Sequence, residues 1–583
     1  MTELSPDGRL HQKGIRGLFY RLFHLPGLEP AFTRSNKFRL GMLVLFFCFS
    51  FTAIASKLFY LSFYIDRDAK PFIHIASDGG FIKNRADLVD RNGIVLATNL
   101  LKPSLFADPS QIMDVDEAAY HLASVLDDLD VGKVRKQLSG DGKFVWIKRN
   151  LTPRQKQEIN ELGLPGLYFR NEQQRVYPLG SLTAHIVGMT DIDNKGVAGV
   201  ERSLDAMLGS TSAPVELSID VRVQHAIEES VQAAITKFNA VAGAGIVLDA
   251  KTSEVLGMVS LPTFDPYDPN NITDEQRFNR ATLGMYEFGS VFKIFTAAMA
   301  LESGKVRMTD VFDATNPIKI SRFEIRDFED GEKRPLSLRE VIKHSSNIGA
   351  AKIAVKVGTR NQQAFLKRLG LLNPIAIELP EIGKPQFPKT WREINTMTIS
   401  FGHGLSVSLL HTVNAMASLV NGGQLHHPTL IKRETPTLVQ GESVVSEKTS
   451  DQVRDLLRMV VTEGTGKNAA VKGYLVGGKT GTAEKPKRNG YSEKSLLSSF
   501  IASYPMDDPR YVVMVTVDEP KPIKESYGYA TGGWVAAPAV GQIIETTAPI
   551  LGVEPRGAIA AAAQARNAVG QAVSYQVNGN AAE

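Results

Sequence analysis

The sequence contains a single cysteine, Cys48, in 583 residues. An intramolecular disulfide, a thiolate metal cluster and a cysteine-pair redox site are thereby excluded. Charge of one sign is also lacking. Against 62 acidic residues stand 66 basic ones, a net charge of +4. That excess is too small to argue for nucleic acid, and no basic stripe with interleaved aromatics occurs. No internal repeat is visible.

What is present is length enough for two or three domains and one apolar run. Residues 40–56 carry no charge and are dense in Leu, Phe, Val and Met, followed by Lys57 and an aromatic stretch with Phe59, Tyr60, Phe63 and Tyr64. The run sits at the short end of what spans a bilayer. Upstream lie Arg9, Lys13, Arg16, Arg21, Arg34, Lys37 and Arg39 against Glu3, Asp7 and Glu29, so the positive-inside rule puts the N-terminus in the cytoplasm. Ala53-Ile54-Ala55 offers a signal-peptidase site as the rival reading. The leader would be unusually long, so a membrane anchor is favoured over a cleaved signal, and a buried core helix comes third. The resulting division is a cytoplasmic tail (1–39), an anchor (40–60), a first extracytoplasmic region (65–225), a larger domain (235–550) and an Ala-rich tail (551–583) expected to be disordered.

In the larger domain, residues 245–249 and 255–260 read as a β-hairpin, residues 294–301, 338–342 and 413–420 as helices, and residues 474–479, 499–504 and 511–517 as closing strands. Two early and three late strands suit one antiparallel sheet with the helical middle packed on it, an α+β fold.

Ser290-Val291-Phe292-Lys293 stands where Glu287-Phe288-Gly289 gives way to an apolar helix. A serine at a helix N-terminus faces backbone N–H groups that favour an oxyanion, and Lys293 lies on the same helix face. A neutral Lys293 amine would accept the Ser290 proton, provided that burial and a second cation lower its pKa. Alone the pattern is weak, since about one or two copies occur by chance in a chain this long. Ser345-Ser346-Asn347, after a helical segment, adds a hydroxyl and an amide; Lys479-Thr480-Gly481-Thr482, on a strand, adds a cation, two hydroxyls and a glycine that lets substrate approach the strand edge.

These three motifs, in this order, resemble the S-x-x-K, S-D-N and K-T-G signature of penicillin-binding proteins and class A β-lactamases. The chain resembles class B penicillin-binding proteins over nearly its whole length, most closely the division-type, FtsI-like transpeptidases. Asp90-Arg91-Asn92-Gly93, Arg175-Val176-Tyr177-Pro178 and the run from Gly196 to Glu201 are similar to that family's pedestal motifs. The resemblance implies a five-stranded penicillin-binding/serine β-lactamase-like transpeptidase domain on a membrane-anchored α+β pedestal. It further implies a periplasmic D,D-transpeptidase that cross-links pentapeptide stems of septal peptidoglycan and is inhibited by β-lactams. Ser290 would be the nucleophile, Lys293 the base, Ser345 and Lys479 the proton shuttle, Asn347 the group orienting Lys293 and the substrate amide, and Thr480, Gly481 and Thr482 the carboxylate site. Backbone N–H groups of Ser290 and Thr482 would form the oxyanion hole. No metal or organic cofactor is implied; the implied partner is a SEDS-type, FtsW-like glycan polymerase with other division proteins.

Phe288, Val291 and His403 depart from the family's usual residues, as does Arg85-Ala86-Asp87; His403 and His344 are expected to be structural. A β-lactamase lacks support because no E-x-x-L-N segment is found. A D,D-carboxypeptidase, an elongation-type homologue and a non-catalytic division scaffold stay as alternatives.

Overall fold

Why residues 245–249, 255–260 and 511–517 read as unbroken apolar runs is plain from their surroundings: they are covered on both faces. The computed structural model describes residues 34–64, 85–320, 323–328, 331–434, 441–487 and 490–556. Residues 1–33 of the expected cytoplasmic tail, and the Ala-rich tail past residue 556, lie outside the described residues. The chain divides into two units, residues 1–82 and 83–583.

In the first unit, α1 (Arg34–Tyr64) carries the apolar run. Among the described residues no helix is long and apolar enough to cross a membrane.

The second unit opens with a small sheet. Its central strand β1 (Val95–Ala107) is followed by α2 (Val115–Val125), α3 (Val131–Leu138), β2 (Val145–Lys148), α4 (Pro153–Glu161) and β3 (Leu167–Val176). Both β2 and β3 pair antiparallel with β1. Asp114 and Asp130 cap α2 and α3, and Thr152 with Gln155 forms a capping box on α4. The first of these helices ends at Val125, and the stretch that follows leads to the next cap at Asp130. Leu105, Leu122, Leu138, Ile147 and Ile159 close a core between helices and sheet.

Arg85 and Arg175, far apart in sequence, meet at one buried carboxylate. Glu201 accepts from Arg85 Nε at 2.7 Å and from Arg175 Nε at 2.6 Å, with its side chain fully buried. Arg85 also donates to Asp205 at 2.7 Å. The Arg-Ala-Asp start thus keeps the arginine function, and Ala86 packs in the core.

The catalytic region contains α5 (Val221–Lys237), β4 (Ala242–Asp249), β5 (Val255–Leu261), α6 (Phe292–Glu302), α7 (Leu338–Lys343), α8 (Asn347–Val357), α9 (Leu409–Val420), α10 (Glu447–Thr462), β6 (Gly477–Lys487), β7 (Gly490–Tyr504), β8 (Tyr511–Asp518) and α11 (Ala536–Ile550). The sheet runs β6-β7-β8-β4-β5, every neighbour antiparallel. This is the expected five-stranded sheet. Its third part shifts, since Tyr474 lies in a turn and the strand starts at Gly477. Side chains alternate between two cores: Val247, Val513 and Val515 face α5 and α11, while Ile246, Leu248 and Met514 face the helical middle with Val413 and Ala417 of α9.

Replacing Glu201 by glutamine leaves buried Arg175 without a carboxylate and Arg85 with Asp205 alone, a loss of about 3–5 kcal/mol. A clear fall in the midpoint of thermal unfolding is expected. Arg154→Ala, which breaks the exposed Arg154–Glu158 pair, should leave the midpoint unmoved.

Candidate active site

Three chain segments come together so closely that only glycine fits between them. Gly289 has φ +54°, and a Cβ there would stand 2.5 Å from the Thr482 carbonyl oxygen. Gly402 has φ +83°, and its Cβ would meet the Gly289 carbonyl oxygen at 2.1 Å. The turn before α6, the edge strand β6 and the loop after Ile399 are thereby pressed against one another. Ser290 occupies the short 3-10 turn Gly289–Val291 that leads into α6, and Lys293 stands in the first turn of the helix proper.

Lys293 Nζ lies 3.0 Å from Ser290 Oγ and 3.1 Å from Ser345 Oγ, and it also donates to the Ser345 carbonyl. Lys479 Nζ donates to the same Ser345 Oγ at 3.0 Å and to Thr480 Oγ1 at 3.2 Å. One hydroxyl thus bridges two amines, and a continuous path runs Ser290, Lys293, Ser345, Lys479, Thr480. Both lysine side chains are fully buried while Ser290 and Ser345 keep some exposure. The path therefore has one end open to a substrate.

Burial first, and the Lys479 charge second, drive the Lys293 amine well below the usual lysine range, with Asp327 opposing. Burial pushes Lys479 down to about 7. Two ammonium groups sharing one hydroxyl disfavour each other, and burial together with the Lys479 charge favours the neutral form of Lys293.

The turn that brings Ser345 here is unusual. Ser345 has φ +60°, a left-handed conformation that costs a non-glycine residue roughly 1–2 kcal/mol. Ser346 caps α8 by accepting from the Gly349 N–H. Asn347 is the first residue of that helix rather than a loop residue. Its amide does not reach Lys293 but donates to the Arg326 carbonyl at 2.8 Å.

On the strand side, Thr480 Oγ1 and Thr465 Oγ1 are 2.8 Å apart, and Thr482 Oγ1 accepts from the Gly532 N–H at 3.1 Å. Gly481 presses on the Phe288 carbonyl, 2.4 Å from where its Cβ would be. Thr480 and Thr482 alternate with Lys479 and Gly481 along an edge strand, with hydroxyl and backbone groups of the kind that hold a carboxylate. His403 is half-buried near Lys293, and burial lowers its pKa; its ring packs against Phe401, centroids 5.4 Å apart. His344 is exposed at the end of α7, with Nδ1 3.8 Å from Glu332. Thr465 and Asp327 were not among the residues that the sequence singled out. For Thr465 the one signal is its place between Gly464 and Gly466. Among the described residues no cluster of His, Cys, Asp and Glu could hold a metal ion.

A serine in hydrogen-bonding reach of a desolvated lysine, on an antiparallel sheet packed with helices, is the arrangement of a serine acyltransferase. Comparison with known proteins narrows the class. Residues 243–545 match the model of the penicillin-binding protein transpeptidase domain, and residues 83–222 that of the penicillin-binding protein dimerisation domain. The chain is 37% identical over 580 residues, 95% of its length and 96% of the relative's, to a probable peptidoglycan D,D-transpeptidase FtsI of Caulobacter vibrioides. To the peptidoglycan D,D-transpeptidase FtsI of Escherichia coli K12 it is 29% identical, covering 81% of this chain and 84% of the relative. Among solved structures, the transpeptidase domain of penicillin-binding protein 3 from Burkholderia pseudomallei superposes with a TM-score of 0.52 at 35% identity, over 58% of this chain and 97% of that one. The chain belongs to the class B penicillin-binding proteins, with the FtsI-type peptidoglycan D,D-transpeptidases.

Thr465→Val removes the hydroxyl that meets Thr480. Acylation by a carboxylate-bearing β-lactam is expected to slow about tenfold, the loss of one hydrogen bond of roughly 1–1.5 kcal/mol, as read from the rate of labelling by a fluorescent penicillin.

Proposed function

We propose that Ser290 is the nucleophile of a transpeptidase that cross-links peptide stems during septal wall synthesis. The observation that carries this reading is the path of hydrogen-bonding distances from Ser290 through Lys293 and Ser345 to Lys479. Neutral Lys293 takes the Ser290 proton as Oγ attacks the carbonyl carbon of the penultimate D-alanine. The backbone N–H groups of Ser290 and Thr482 receive the developing oxyanion. Ser345 and Lys479 pass a proton to the leaving amine, the C–N bond breaks, D-alanine departs and an ester to Ser290 remains. The amine of a second stem then attacks the ester and restores the Ser290 hydroxyl. Thr480 and Thr482 hold the terminal carboxylate and fix the scissile bond over Ser290. A bound substrate amide recruits Asn347 from the Arg326 carbonyl. β-Lactams enter as mimics of the D-Ala-D-Ala end.

In this reading residues 40–60 anchor the protein in the inner membrane with the catalytic region in the periplasm. The charge asymmetry of the N-terminal arm supports that orientation. A SEDS-type, FtsW-like glycan polymerase is the partner that the family resemblance suggests, and it would supply the strands whose stems are joined.

Ser290→Ala should abolish labelling by fluorescent penicillin; label on the alanine variant would remove Ser290 from the mechanism. Incubation with pentapeptide stems and an amine acceptor should give cross-linked product, whereas tetrapeptide alone would make the protein a carboxypeptidase. Acylation by penicillin should follow a bell-shaped pH profile. The acid limb arises because Lys293 is useless as a base once protonated, and its depressed pKa holds that limb well below the usual lysine range. On the alkaline side Lys479 loses the proton it must deliver, with a limb near pH 7 in the free enzyme. A flat profile through that region would contradict the assignment.

A further inference from the structure

One carboxylate fastens the Ser345 turn from outside. Asp327 Oδ2 accepts from Ser346 Oγ at 2.6 Å, and its Oδ1 accepts from the N–H groups of Asn347 at 2.5 Å and Ile348 at 3.0 Å. The adjacent Arg326 carbonyl accepts from the Asn347 amide. A helix N-terminus normally takes its cap from its own chain. Here Ser346 fills that role through Gly349, and Asp327 reaches the remaining N–H groups from a segment about 20 residues earlier.

The capped turn begins at Ser345, whose left-handed backbone persists only because its surroundings over-determine it. The Ser345 hydroxyl is the atom that Lys293 and Lys479 share. Its position is therefore set by contacts that Asp327 makes to the next three residues. The charge matters as well as the geometry. Groups acting on Lys293 are Lys479 from β6, His403 from the loop after Ile399, and Asp327, which is the acidic one among them.

We propose that Asp327 is a positioning residue for acylation: it holds the Ser345 turn in place and keeps a negative charge on the turn to which Lys293 donates. The inference rests on the acylation of Ser290, and labelling of the wild-type protein but not of Ser290→Ala tests that foundation separately.

The test uses the full detergent-solubilised chain and a fluorescent penicillin, with acylation rates measured per titratable site across pH. Asp327→Asn is expected to slow acylation about 10–100-fold, the scale of a misplaced catalytic group. Its acid limb should move to lower pH, because Lys293 sheds its proton more readily without the carboxylate. Asp327→Glu should keep the limb in place and recover part of the rate. Ser346→Ala loses the contacts to Asp327 and to the Gly349 N–H but retains the charge, so it should slow acylation with the limb unmoved. Counting only titratable sites removes any loss of folded protein from the comparison. An unchanged rate in Asp327→Asn, or an acid limb left at its wild-type position, would overturn the proposal.

Discussion

The site depends on one shared hydrogen-bonding atom, the Ser345 hydroxyl held between two desolvated amines. Neither lysine has a carboxylate in direct contact, so neither is locked as an ammonium. Burial without an ion-pair partner is costly for a charged amine. That cost can be used chemically, since it favours a neutral amine where an exposed lysine is protonated. Ser345 links this base to the second amine, so proton transfer at one end can be felt at the other.

That arrangement needs three chain segments at van der Waals distance, and much of the catalytic fold follows from the need. The edge position of β6 leaves its outer side free to meet the turn before α6. Gly289, Gly402 and Gly481 remove the side chains that would hold these backbones apart. The sheet is buried on both faces, which gives the edge strand a rigid back. The pedestal meets the catalytic region at the approach to the nucleophile: the Gly199 N–H donates to Glu381 at 3.3 Å, and the Glu381 carbonyl accepts from Thr282 Oγ1 at 2.6 Å.

The parts of this site legible in the sequence are those in which chemistry restricts residue type within a few positions. Ser290 and Lys293 are three apart on one helix start, and Lys479 to Thr482 alternate on one strand, so local spacing fixes both. Strands β4, β5 and β8 were legible because two-sided burial makes each a short apolar run. Asn347 shows the limit. It stands third in the motif, yet its amide turns to the Arg326 carbonyl, a partner no local pattern announces. Asp327 sits in a stretch, Arg326-Asp327-Phe328, that reads as an ordinary solvated loop. Its importance comes from contacts across about 20 residues, and only the tertiary structure brings those together. His403 belongs to the same category, since its nearness to Lys293 is a tertiary fact.

The account turns on the protonation state of Lys293. Carbon-13 NMR of the protein with lysine side chains labelled at Cε, followed from about pH 5 to 9, reads that state directly, with Lys293→Arg and Lys479→Arg supplying the assignments. The prediction is a Lys293 resonance already in the neutral-amine position at pH 7, and a Lys479 resonance that titrates near pH 7. A Lys293 resonance that stays in the ammonium position up to pH 9 would contradict the account.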